Sequence, residues 1–493
     1  MLSPPSRSFR RPEDRRPVGN AAYRTRPAAT AAMPPGIPFI VGNEAAERFS
    51  FYGMKTILVV FMTQHLLSSA GKPDFMTETQ AREWLHLFVA SAYFFPIIGG
   101  IVADAFLGKY LTILVLSLVY CVGHLCLALM DTPAPFLEAT LEPRGWLMAG
   151  LALVAIGSGG IKPCVSAHVG DQFGQSNRHL LEKVFGWFYF AINFGSFFST
   201  LLTPWLLEHY GSGWAFGVPG ILMALATLVF WLGRHRFVHV PPRGPTYFAE
   251  TFGPEGLAAI GKLVPLYLLV AVFWSLYDQT GGAWVQQAER MDRHFLGREW
   301  LASQIQAINP LLVLVFIPLF GTVLYPAVER VVQLTPLRKI LVGFALATAA
   351  FAISGHAQTL VDAETARLAT AGLGPEAARW PSVGWQLLAY VVITAAEILV
   401  SITCLEFSYT QAPPHMKSLV MSLYLLSVSL GNLFTALVNT FTQDAAGNST
   451  LQGAAYYRFF TVCMAVATAL LVPVLWWYKP REYLQQEADT PPA

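Results

Sequence analysis

Residues 43–60 read NEAAERFSFYGMKTILVV, so Glu44, Glu47, Arg48 and Lys55 interrupt an otherwise apolar stretch. At about 100° per residue on a helix, Glu47, Arg48, Lys55 and Tyr52 fall about −60°, +40°, +20° and +80° from Glu44. One face then holds two acids, two bases and a phenol, a set that can neutralise itself and titrate. A charge at membrane depth costs about 2.5–3.5 kcal/mol on insertion scales, so such residues mark function by default. A second such site is Lys162 in GSGGIKP. The run lacks the GxxxxGK[ST] spacing of a phosphate loop and no strand precedes it, so its glycines are read as close helix contacts. Lys162 needs a carboxylate partner, and Glu44 is the natural candidate.

A third set lies in AYVVITAAEILVSITCLEFSY, where Tyr390, Glu397 and Ser401 share a face. Glu406 points the other way and reads as a structural or gating acid near one end of the helix. Glu397, deeper in the apolar run, is the better candidate for lining an internal space. His86 and Tyr93 share a face further up the chain, where the histidine can be a functional group or hydrogen-bonded packing. Asp278 with Trp274, and Asn193 with Tyr189, are i,i+4 pairs, and Asn193 can equally be interhelical glue.

The elements that position these residues follow from composition. Of 493 residues, 54% are hydrophobic and 13% charged, against roughly 25% charged in soluble domains. The surface of such a chain cannot be covered with water-compatible groups, and a lipid bilayer removes that requirement. Twelve stretches are long enough to span about 20 residues of hydrocarbon: 37–68, 79–104, 110–130, 145–167, 184–208, 214–233, 262–285, 301–328, 337–356, 384–410, 418–441 and 454–478. The fold class is therefore an all-α polytopic membrane protein, with six helices (37–233), a linker (234–261) and six more (262–478). Arg234, Arg236, Arg243, Lys262, Arg338, Lys339, Lys417, Lys479 and Arg481 fall on one side, together with the Arg-rich start of the chain. Positive residues mark the cytoplasmic side, so both termini are expected there, in the plasma (inner) membrane. Residues 1–36 are read as a disordered basic tail, and 479–493 as a second tail. The five cysteines sit singly in apolar segments and read as small buried residues, neither a disulfide framework nor a metal site. A net charge of +2 gives no pull toward nucleic acid.

These segments resemble one family. NEAAERFSFYGMK resembles the ExxERFxYYG signature of the proton-dependent oligopeptide transporters of the major facilitator superfamily. GGIVADAFLGKYLTI, which contains Asp104, resembles the family's second signature, and FYFAINFGSFFST its FYxxINxGS signature. FWSLYDQTGGAW and LEFSYTQAPPHMKS look like stretches of its peptide carriers. The resemblance runs from about residue 43 to 434. It implies a symporter that imports di- and tripeptides with protons by alternating access between two six-helix bundles, working as a monomer with no cofactor or metal. Glu44, Glu47, Arg48, Lys162 and His86 would couple protons. Glu397 would hold the peptide amino group, and Lys55 or Lys162 its carboxylate. Tyr52, Tyr93, Tyr189, Asn193, Trp274, Asn309, Ser401 and Tyr424 would complete the substrate site, with Asp104, Asp278 and Glu406 gating or structural.

Three positions depart from the family pattern: Phe51 replaces a tyrosine, Lys55 an arginine, and Tyr424 a position often held by tryptophan. Lysine in place of arginine turns a planar fork into a point charge. A carrier of nitrate, a drug or another solute is the rival within the fold, and Glu397 would repel an anion. A membrane enzyme or receptor is the rival outside it, against the absence of a metal cluster, nucleophile elbow or nucleotide loop in the sequence.

Overall fold

The computed structural model describes residues 23–28, 30–130, 142–244, 246–411, 417–444 and 449–478. The tail before residue 23, Lys479 and Arg481 lie outside them. Twelve long helices appear: α1 (Ile37–Val60), α2 (Glu78–Val102), α3 (Lys109–Leu129), α4 (Pro143–Asp171), α5 (Leu181–Tyr210), α6 (Ser212–Leu232), α7 (Pro254–Tyr277), α8 (Ile308–Leu319), α9 (Pro336–Ala371), α10 (Gly384–Glu397), α11 (Lys417–Phe441) and α12 (Gly453–Trp477). Eleven are long and apolar enough to cross a bilayer, and α1 falls outside that set. Its Glu44, Glu47, Arg48 and Lys55 dilute the apolar signal, so the helix richest in candidate chemistry is the one hydropathy reads least well.

Among the described residues two large apolar cores form, one per half. Phe51, Phe61, Tyr120, Phe216, Phe230 and Phe237 anchor the first. Phe273, Trp284, Phe344, Phe351, Tyr390 and Phe460 anchor the second. The halves meet where α2 lies along α11 and α5 along α8. A shift of six in helix number maps α2 onto α8 and α5 onto α11, so the interface has the symmetry of a two-half transporter. Leu111, Val115, Leu118, Val122 and Leu125 leave one side of α3 exposed and apolar, as a lipid-facing side requires. Small residues bring helices into contact as the GSGG run predicts. Gly160 lies against Gly99 of α2, and Gly157 against Tyr120 of α3. In the second half Gly431 packs on the Ala271 and Ser275 backbone of α7.

Several boundaries differ from the sequence reading. The ninth helix runs to Ala371, fifteen residues past the expected end at 356. Hydropathy ends there, but VDAETARLATA contains no breaker, and the helix stops only where Gly372 turns left-handed (φ 64°, ψ 29°). The linker is partly helical (Thr246–Thr251), and α7 begins at Pro254. Four π-helical turns, Phe61–His65, Ala103–Leu107, Phe320–Leu324 and Ile398–Ile402, extend α1, α2, α8 and α10.

The expected disordered tail to residue 36 is corrected from residue 23 onward. Arg24 pairs with Val238 of the linker, and the His239 N–H donates to the Arg24 carbonyl (2.7 Å). Tyr23 stacks on His239 with ring centroids 4.1 Å apart. The Gln172 side chain, just past α4, both donates to (3.3 Å) and accepts from (2.8 Å) the Val238 backbone. Linker N–H groups of Arg243 and Gly244 donate to the carbonyls of Asp104 (2.7 Å) and Ala105 (3.1 Å). The linker is thus pinned to the first half by partners distant in sequence, which composition cannot show.

Candidate functional site

Arg48, one turn past Glu44, donates to Glu44 Oε1 at 2.7 Å and lies 3.3 Å from Glu47 Oε2. Ser158 of the GSGG run donates to Glu47 Oε1 (2.9 Å). One guanidinium is therefore shared by two fully buried acids, the second steadied from α4. The expected Glu44–Lys162 pair is not formed. Lys162 Nζ lies 3.8 Å from the Phe51 ring centroid and 4.2 Å from that of Tyr93, with no hydrogen-bond partner among the described residues. Arg48 reaches both acids from the same helix, so Lys162 is left to the faces of two rings, a contact favourable to a cation. Phe51, the departure from the family signature, is one of those rings.

Lys55 also parts from the α1 cluster. Its Nζ meets Asp278 Oδ1 of the second half at 2.6 Å. Asp278 Oδ2 accepts from Asn432 Nδ2 (2.6 Å), and Asn432 Oδ1 lies 2.7 Å from His86 Nδ1. A carbonyl oxygen only accepts, so the His86 proton in this contact sits on Nδ1. The result is a chain from α1 and α2 through α11 to the turn after α7, joining the halves. Asn432 was absent from the sequence reading. A lone membrane asparagine reads as packing, and only the meeting of α2 with α11 shows what it bridges.

Glu397 closes α10 and begins its π turn. Asn309 Nδ2 donates to Glu397 Oε2 (2.8 Å) and Thr394 Oγ1 (3.0 Å), while Asn309 Oδ1 accepts from Tyr277 OH (3.2 Å). Ser401, in the π turn, receives Tyr424 OH at its carbonyl (3.4 Å) and Oγ (3.3 Å). Tyr390, expected on the same face, instead turns into the second core, where its OH reaches the Thr280 carbonyl (3.3 Å). The extra residue of the π turn shifts Ser401 out of the register that a uniform helix would give it with Tyr390. Trp274 is buried and its ring lies 5.3 Å from Tyr277; Asn193 is buried. The Tyr189 side chain lies outside the described residues. Tyr52, Tyr93, Asn309, Glu397 and Ser401 each keep part of their surface uncovered at mid-helix, as groups lining an internal space would.

The two ends of this space differ. Among the described residues, bonds between the halves cluster at the end where α1 finishes and α2 starts. Arg82 donates to Gln286 (2.7 Å) and Asn439 (3.2 Å). Glu83 accepts from Thr440 (2.8 Å) and Gln443 (2.7 Å), and Arg290 pairs with Glu78 (2.6 Å). Asp104 lies toward the other end, partly buried in the π turn after α2, and Glu406 is exposed. All five cysteines are unpaired, with Cys164 and Cys404 buried. Among the described residues, no group of three or more His, Cys, Asp or Glu is placed to hold a metal.

Two six-helix halves that meet beside buried charges define a multi-pass membrane protein of the major facilitator fold. Comparison with known proteins narrows this. The POT family model (PTR2) matches residues 110–254 and 253–458. "Peptide transporter family 1" of Drosophila melanogaster is 38% identical over 361 residues, covering 65% of this chain and 47% of that protein. "Solute carrier family 15 member 2" of Homo sapiens is 35% identical over 384 residues, 70% of this chain and 51% of that protein. The chain thus spans about half the length of the curated relatives it matches. The crystal structure of an auto-inhibited POT family peptide transporter superposes with a TM-score of 0.76 at 35% identity, over 92% of this chain and 99% of that one. That of a proton-dependent oligopeptide (POT) family transporter gives 0.68 at 35% identity, over 88% and 100%. The chain belongs to the POT family.

Proposed function

We propose that this protein is a symporter that imports di- and tripeptides together with protons by alternating access. The observation that carries the reading is the separation of buried charge between the halves. Among the described residues Lys162 in the first half has no acidic partner, while Glu397 in the second is held by the neutral Asn309. A short peptide is a zwitterion whose two ends match this pair, the amine at Glu397 and the carboxylate at Lys162. Tyr52, Tyr93, Asn193, Trp274, Asn309, Ser401 and Tyr424, with Tyr189, supply the remaining contacts. Similarity to proteins named peptide transporters supports the substrate class.

Coupling follows from charge balance. Glu44, Glu47, Arg48 and Lys162 sum to zero. A proton on either acid leaves the cluster with a net positive charge, which favours the arriving carboxylate. The membrane potential adds about 2.3 kcal/mol per charge per 100 mV to inward movement. The positive-residue pattern supports cytoplasmic termini, and with the plasma (inner) membrane as the site of import the bonded end is the outer mouth. The chain His86–Asn432–Asp278–Lys55 then closes that mouth, and Asp104 and Glu406 sit toward the cytoplasm. The cycle needs one copy of the chain and no cofactor beyond the proton.

The test is uptake of labelled dialanine into proteoliposomes with and without an inward proton gradient. Accumulation above the external concentration only with the gradient is expected. Uptake insensitive to the gradient, or none while another solute is carried, overturns the proposal.

A further inference from the structure

A carboxyl at the bonded mouth lies outside every contact used so far. Glu289 follows a short helix, Ala283–Ala288, in the second half. It is half-buried and caps a helix end whose free carbonyls disfavour added negative charge. Gln64, in the π turn that ends α1, donates its Nε2 to Glu289 Oε1 at 2.7 Å, so a bond to a neutral amide spans the halves. The charged groups facing Glu289 are Glu78 of α2 and the neighbouring Arg290 and Arg293. Both guanidinium groups are engaged by other acids, Arg290 by Glu78 (2.6 Å) and Arg293 by Glu299 (3.1 Å).

We propose that Glu289 is a second proton-holding site, separate from the α1 cluster, and that a proton there holds the mouth shut. The protonated carboxyl keeps an oxygen to accept from Gln64 and no longer repels Glu78. When the mouth opens, Gln64 and Glu78 move away with the first half and Glu289 returns to water. Burial first, and Glu78 second, push the Glu289 carboxyl up to about 7 in the closed mouth. In the open mouth it returns to the ordinary carboxylate range. The closed form thus binds the proton more tightly, and between that range and about pH 7 falling pH favours closure. The inference rests on the alternation of the two halves proposed above, but not on a peptide being the cargo.

The test is amide hydrogen exchange of the full chain without substrate at pH 5.5 and 7.5, corrected for the intrinsic pH dependence of exchange. Residues 61–83 and 283–304 report the mouth. In the unaltered protein, corrected exchange there should be on the order of tenfold slower at pH 5.5. Glu289→Gln should exchange slowly at both values. Glu289→Ala, which has no carboxyl to titrate, should also lose the pH response, and serves if the first variant does not fold. No pH response in the unaltered protein, or a response retained in either variant, overturns the proposal. Loss of peptide uptake with the response intact would bear on the transport reading alone.

Discussion

Asn432→Leu replaces the bridging amide with an apolar side chain of similar size. It removes the contact to His86 at 2.7 Å and the donation to Asp278 at 2.6 Å. A hydrogen bond between neutral groups contributes about 1 kcal/mol net, and one to a charged group about 1.5–3 kcal/mol. Only the His86 contact joins the halves, so the closed mouth alone loses about 1 kcal/mol, roughly fivefold in an equilibrium constant. The bond to Asp278 lies within the second half, and its loss falls on the closed and the open mouth alike. An open mouth, where His86 meets water, is spared the first loss. The assay is hydrogen exchange of residues 61–83 and 283–304 at pH 7.5, with thermal unfolding as a control. Exchange should quicken about fivefold, and adding His86→Ala should cost much less than the sum of the two single changes. Exchange indistinguishable from the unaltered protein, or full additivity, would show that Asn432 merely packs.

Glu47→Gln cannot titrate, and Lys162→Ala removes a positive charge from the cluster; both should abolish gradient-driven dialanine uptake while counterflow without a gradient persists. Accumulation by both variants would move coupling elsewhere. Glu397→Gln should lower uptake of free-amino dipeptides at least tenfold and abolish discrimination against their N-acetylated forms in competition assays. Tyr23→Ala should free the linker strand, seen as faster exchange across residues 236–244. In the unaltered protein the same segment should loosen on acidification. Burial pushes the His239 imidazole down, so the clasp holds the neutral ring and weakens as pH falls below the ordinary histidine range. Exchange there that is independent of pH and of Tyr23 would remove the clasp.

What the sequence revealed was whatever the bilayer prices residue by residue. Long apolar stretches showed twelve spans, and charges inside them showed Glu44, Glu47, Arg48, Lys162 and Glu397, because each such residue is costly on its own. Pairing is different in kind. Lys162 found aromatic faces and Lys55 crossed to Asp278 because helix packing decides which side chains meet. A period of 3.6 within one helix carries none of that. Asn432 went unread because an amide in a membrane helix is cheap enough to need no explanation. The π turn at Ile398–Ile402 put Ser401 with Tyr424, where a uniform helix would group it with Tyr390. The ninth helix outran its apolar stretch because helix propensity and hydropathy are separate properties, and the end of the second says nothing about the first.

The bridge between Arg24 and Val238 bears on the order in which the molecule is made. Its two residues lie before and after the first six helices in the chain, so it can form only after the ribosome has released the linker. By then the first apolar core has all its residues, and none of the second core has yet been needed. A nascent chain whose linker has just cleared the ribosome would hold a finished first half in the membrane before the second is complete. Domains fold in this N-terminal-first manner during synthesis. Two fragments divided after the linker and expressed together should therefore find each other.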